Sequence, residues 1–215
     1  MRNLSDILTL VPGFVFGLTL HEFSHAFVAS RLGDPTAQRM GRLTLNPLAH
    51  LDLLGSVMLV AAGFGWAKPV PVDVNYLRSP RRDMALIAVA GPVSNIVLAT
   101  ACALLLRLLF MTGLFGDSTV ASVALNVMIQ AIQINVILAV FNIIPVPPLD
   151  GSRIVAGIVP EAWNHGYEQF ERFGPLLLLG LVLIGSVTGV SILSRIIMPM
   201  ASPIYKLVML DWLFR

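Results

Sequence analysis

The chain has 215 residues, 56% of them hydrophobic and 12% charged, with a formal net charge of +2 at pH 7. That apolar excess, expressed as a mean hydropathy of +0.83, excludes an ordinary soluble domain and indicates an integral membrane protein. The small net charge argues against a nucleic-acid partner. The single cysteine, Cys102, rules out an intrachain disulfide or a paired-cysteine redox motif.

Taken in chain order, four apolar runs are long enough to cross a bilayer, which takes roughly 20 residues per helix: residues 7–32, 84–111, 120–144 and 175–200. The first starts after Met1 and Arg2 but is too long for a cleaved leader, so it is read as retained. The stretch 53–65 is too short for an upright crossing and rich in Gly and Ala, which favours a re-entrant or interfacial segment. Residues 204–215, with Lys206, Asp211, Trp212 and Arg215, suit an interfacial helix end. Between the first two runs the pieces 42–45 and 70–74 alternate polar and apolar residues and contain Pro71, which favours a small edge-strand element at the membrane surface over irregular loop. Seven Lys and Arg lie between Arg31 and Arg82, and none lies in 112–119. By the positive-inside rule the former region is cytoplasmic, the latter external, and the N-terminus outside.

The expected architecture is an all-α polytopic helix bundle with four transmembrane helices, a short fifth segment and the small β element. It forms one membrane domain over 1–215, with its core at about 7–155 and extra C-terminal helices at about 175–215.

The first run carries the sequence LTLHEFSHAFVA. Ionisable residues inside a span are costly to insert and mark function. His21 and His25, four residues apart, share a helix face, so two imidazoles can meet one ion in the HExxH arrangement. Imidazole nitrogen suits zinc. Glu22 lies beside the metal without being needed as a ligand, where it can take a proton from metal-bound water. The alternative is that these groups merely satisfy one another in a helix bundle.

A metal site needs a third ligand. The pattern H-E-x-x-H-x-x-G-x-x-H fails here, with Val28 and Arg31 at its last two defining positions, and the next glutamate after Glu22 is Glu161. Aspartates and His50 remain. Asp150 stands out because Pro145, Pro147 and Pro148 must end or unwind the helix before it, and unwound backbone at membrane depth is tolerated only where it lines a cavity. The competing reading of Asp150 is a simple turn aspartate before Gly151.

HEFSHA at 21–26, together with NIIPVPPLDG at 142–151, resembles the two signatures of the site-2 protease family of intramembrane zinc metalloproteases, HExxH and N-x-x-P-x-P-x-L-D-G. Segments 41–55, 65–72 and 90–95 also look like that family, so the resemblance runs from about Phe14 to Arg153. It implies one zinc ion bound by His21, His25 and Asp150, with Glu22 as catalytic base and acid. Asn142 and Asn95 match family asparagines that hold substrate or oxyanion, with interhelical hydrogen bonding as the alternative. His50 matches a recurrent histidine, read as structural or substrate-lining, since a catalytic zinc keeps its fourth position open. His165, in a stretch read as polar loop, is expected to be solvated.

The resemblance further implies cleavage of transmembrane helices of other membrane proteins. Trp66 and Lys68 belong to a candidate clamp at 66–74, where an unwound substrate could add as a strand; the alternative is a surface loop with a Trp anchor. The inserted PDZ domain or added regulatory domain of some family members is not found in this sequence. Expected partners are a transmembrane protein or peptide substrate and the lipid bilayer, with a homo-oligomer left open; the setting is a prokaryotic cell membrane, with the site toward the cytoplasm. Two competing readings are a metal-binding membrane transporter and a family member that binds helices without cutting.

Overall fold

The computed structural model describes residues 4–62, 65–112, 119–160, 164–188 and 192–209. The described chain runs α1 (Leu4–Leu32), α2 (Thr36–Arg39), α3 (Leu53–Ala62), α4 (Pro80–Met111), α5 (Thr119–Ile143), α6 (Asp150–Ile158), α7 (Asn164–Thr188) and α8 (Ile192–Val208), with short 3-10 turns at Pro47–Ala49 and Val74–Tyr76. Two compact units divide it: Leu18–Ser94 with Asn142–Pro175, and Met1–Gly17 with Asn95–Phe141 and Leu176–Arg215.

Of the four apolar runs, two become helices long and apolar enough to cross a membrane by length and composition, α4 and α5. The first run lies within α1, whose 29 residues span about 43 Å at 1.5 Å per residue. The last run is divided between α7 and α8. Of the polar loop expected around His165 with Glu161, Glu168 and Glu171, Glu161 lies outside the described residues and the other three positions are in α7. At 53–65 the described helix ends at Ala62 after 10 residues, about 15 Å and too short for an upright crossing. The expected external loop falls largely on 113–118, and the end of the expected interfacial helix on 210–215, both outside the described residues.

The expected β element is a correction: the described residues contain no strand, only an isolated antiparallel bridge between Leu51 and Ala67. The reason lies in the donors. Pro69 and Pro71 have no N–H to give a ladder. The N–H groups of Val70 and Asp73 donate instead to the carboxylates of Glu22 and Asp34.

In the first unit, α1 ends in a Schellman-type turn. Gly33 adopts φ +110° and the Asp34 N–H donates to the Ala29 carbonyl at 3.0 Å, satisfying an orphan carbonyl at the helix end. The fully buried Asp34 carboxylate accepts from Thr36 N–H at 2.9 Å and Asp73 N–H at 2.9 Å. Ala26 packs with Ala37 and Val70, and Ala29 with Leu77 and Ile87, so the α1 face that carries the histidines is lined with small residues that admit close neighbours. Asp52 caps α3 through Gly55 N–H at 2.8 Å, and α4 begins with Pro80 behind Ser79, whose N–H donates to Asp83.

The other unit is held by a buried amide pair. Asn95 and Asn135 are fully buried; Asn95 Nδ2 donates to Asn135 Oδ1 at 2.8 Å and to the Gly17 carbonyl at 3.0 Å. Asn135 Nδ2 in turn reaches the carbonyls of Gly13 at 3.2 Å and Ala131 at 2.8 Å. Gly13 and Gly17, one turn apart on α1, leave no room for a Cβ against Ala131 and Asn135. This small-residue contact sewn by amides is how apolar helices associate where lipid competes for their surfaces. Asn135→Ala is expected to lower stability in detergent by about 1–2 kcal/mol, because it strips Asn95 and the Gly13 carbonyl of a partner without access to water; thermal unfolding of the purified protein measures it.

Candidate metal centre

Two stretches of chain about 125 residues apart build the centre, each by a local rule. On α1 the four-residue spacing points His21 and His25 the same way; their rings lie 4.6 Å apart, edge to face. After α5 stops at Ile143, the prolines 145, 147 and 148 keep the backbone out of helix until Leu149, and Asp150 opens α6. Gly151 sits directly against the Ile143 and Ile144 carbonyls, where a Cβ would be 2.1 Å from one of them. The signature LDG is therefore a buried leucine anchor, a candidate ligand, and a residue with no side chain to obstruct the return.

One ligand atom from each of His21, His25 and Asp150 falls within a 4.8 Å set. Asp150 Oδ2 lies 3.0 Å from His21 Nε2 and 3.2 Å from His25 Nε2, yet this buried oxygen has no aligned hydrogen-bond donor. A buried carboxylate oxygen left so, with two imidazole nitrogens facing it, matches the donor set of a zinc site. His25 Nδ1 donates to the Ile87 carbonyl at 2.7 Å. Since a carbonyl only accepts, this fixes the proton on Nδ1 and leaves the Nε2 lone pair for the metal.

Gly91 of α4 forms the floor. A Cβ there would stand 2.5 Å from His21 Cε1 and His25 Nε2 and 2.6 Å from His21 Nε2. Glu22, buried beside the pair, accepts from the Val70 N–H at 3.1 Å through Oε2. Flanked by two prolines, Val70 supplies the donor of its stretch, and Glu22 takes it.

The remaining predicted residues are distributed differently. His50 is fully buried; its Nε2 donates to the Thr44 carbonyl at 2.7 Å and its own carbonyl accepts Lys68 N–H at 2.8 Å. It is not among the ligating group. Lys68 and Trp66 are exposed, and the Lys68 carbonyl accepts from the buried Arg42 guanidinium. Asn95 is bonded to Asn135, which favours the interhelical reading of that residue. Asn142, half-buried, is the penultimate residue of α5. Sequence reasoning missed Gly91, Asp34, Arg42 and Asn135. Gly91 and Arg42, inside the family-like stretches 90–95 and 41–55, carried a local signal; Asp34 and Asn135 carried none.

The comparisons agree with this chemistry. The model of peptidase family M50 matches residues 111–184. "Putative zinc metalloprotease YwhC" of Bacillus subtilis is 40% identical over 175 residues, covering 81% of this chain and 78% of that protein. "Putative zinc metalloprotease Rip2" of Mycolicibacterium smegmatis is 34% identical over 184 residues, 82% of this chain and 67% of the relative; its namesake in Mycobacterium tuberculosis is 32% identical over 187 residues, 84% and 68%. No solved structure matches the chain. With a relative this similar along most of both lengths, and a buried donor set that fits zinc, the chain belongs to peptidase family M50, the site-2 proteases, and is a membrane zinc metalloprotease.

Proposed function

We propose that this protein hydrolyses peptide bonds within or beside transmembrane segments of other membrane proteins, at a site facing the cytoplasmic side of a prokaryotic membrane. The observation that carries the reading is the convergence of His21, His25 and Asp150 in a buried cluster within a chain whose apolar runs need lipid around them. Bound at these three residues, zinc supplies Lewis acidity toward a scissile carbonyl and toward water. Glu22 takes the proton from the attacking water and returns it to the departing amine, a role within reach of a carboxylate next in sequence to a ligand. The Val70 N–H holds that carboxylate by one oxygen, leaving the other for proton transfer.

A helical peptide bond is closed off by its own hydrogen bonds, so the substrate must unwind first. Trp66 and Lys68 lie on the segment assigned here as the clamp. It is held in place from behind by the His50 carbonyl, Arg42 and Asp34 rather than by a sheet. Asn142 is assigned to the oxyanion or substrate backbone, and Asn95 to holding the helices. The arginines and lysine between Arg31 and Arg82 support a cytoplasmic position for this region and an external N-terminus. A metal transporter would distribute ligands along a path; among the described residues there is one such cluster.

The test is cleavage of a panel of tagged single-span proteins by the purified enzyme in liposomes. Cleavage should stop on stripping with a zinc chelator and return with added zinc. Cleavage that persists in fully metal-free enzyme would overturn the reading.

A further inference from the structure

Away from the metal centre, an open cavity of about 500 Å³ lies beside the first turn of α4, lined by Arg31 from the end of α1 and by Arg78 and Arg82. None of the three has an ion-pair partner among the described residues. Arg31 lies over the Phe27 ring, 4.9 Å from its centroid, and Arg78 and Arg82 are exposed with no hydrogen bond to the protein among the described residues. The acid in the lining, Asp83, is buried with its Oδ2 accepting the Ser79 N–H at 2.9 Å. Three guanidinium groups against one carboxylate already engaged leave the cavity strongly positive, and like charges brought together without partners repel unless an anion joins them.

Leu32, beside Arg31, and Leu86, one turn after Arg82 on α4, add apolar residues to the same lining, with Gly33, Tyr76 and Ser79. A lining that combines three arginines with apolar residues suits an amphiphile with an oxyanion head. Guanidinium groups pair with phosphate oxygens two at a time, which distinguishes them from lysines scattered on a surface. We propose that Arg31, Arg78 and Arg82 form a phosphate-binding site, taking the headgroup phosphate of an anionic phospholipid or a free phosphate ion.

The experiment titrates three probes into the purified full-length protein in neutral detergent and reads binding by calorimetry: short-chain phosphatidylglycerol, short-chain phosphatidylcholine and inorganic phosphate. Saturable binding of phosphatidylglycerol, weakened at least about tenfold in the Arg78→Gln/Arg82→Gln variant, is the expected result, that factor being the loss of one charged hydrogen bond. Binding of inorganic phosphate with the same sensitivity supports the site with the free ion as its source. The Arg78→Lys/Arg82→Lys variant keeps the charge but not the fork and should fall between wild type and the Gln variant. Zinc content and circular dichroism of each variant report whether the fold is intact. Should the double Gln variant not fold, Arg78→Gln alone, at an exposed position, must weaken binding in the same direction. Equal binding by wild type and folded variants, or no binding of either anionic probe, overturns the proposal.

Discussion

Glu22→Gln is expected to lower cleavage of a membrane substrate by about 10²–10⁴-fold, the usual contribution of a positioned general base, while zinc content stays at the wild-type level. The substitution preserves the shape of the side chain, and a glutamine oxygen can still accept the Val70 N–H that Glu22 accepts at 3.1 Å. What it removes is the capacity to take a proton. The candidate ligands His21, His25 and Asp150 are untouched, so cleavage and metal analysis on the same preparation separate the two properties. Full cleavage by the Gln variant would remove Glu22 from the mechanism. Retained metal uptake into liposomes by both proteins, with cleavage by neither, would favour transport instead.

Gly91→Ala is expected to weaken zinc binding by at least roughly tenfold, the scale found when residues supporting a metal site are altered, and to take cleavage down with it. The added Cβ would stand within 2.6 Å of three atoms of the two imidazoles, closer than such contacts ever occur, so one or both rings must turn away from Asp150. Gly180→Ala is the matched control, because a Cβ there meets nothing within 4 Å. Zinc titration followed by a cleavage assay measures both variants. Partial recovery of the Gly91→Ala protein in excess zinc would mark a weakened site rather than a collapsed fold, whereas wild-type zinc affinity would show that the rings adjust without loss.

The metal centre was legible because its parts obey local rules. Four-residue spacing on a helix fixes the direction of His21 and His25 whatever surrounds them. Prolines stop a helix, so the break before Asp150 could be read directly. The clamp was less legible. Alternation at 70–74 suggested a strand, but alternation reports only which side chains face a core, not where backbone donors go, and here Glu22 and Asp34 take them. The positions of His165, Glu168 and Glu171 read as loop through their polarity, yet they are helical in the structure.

From the sequence alone came the membrane character, the helical class and the candidate metal-binding trio His21, His25 and Asp150, since composition and short spacings carry these. Only the tertiary structure decided that Gly91 is the floor of the metal site, that Asn135 binds Asn95, and that the 65–73 segment is fixed by Arg42, His50 and Asp34. Those relations join residues tens of positions apart, and no local period encodes which of many buried polar or small residues will meet. Close packing and the need of every buried donor and acceptor for a partner select among them.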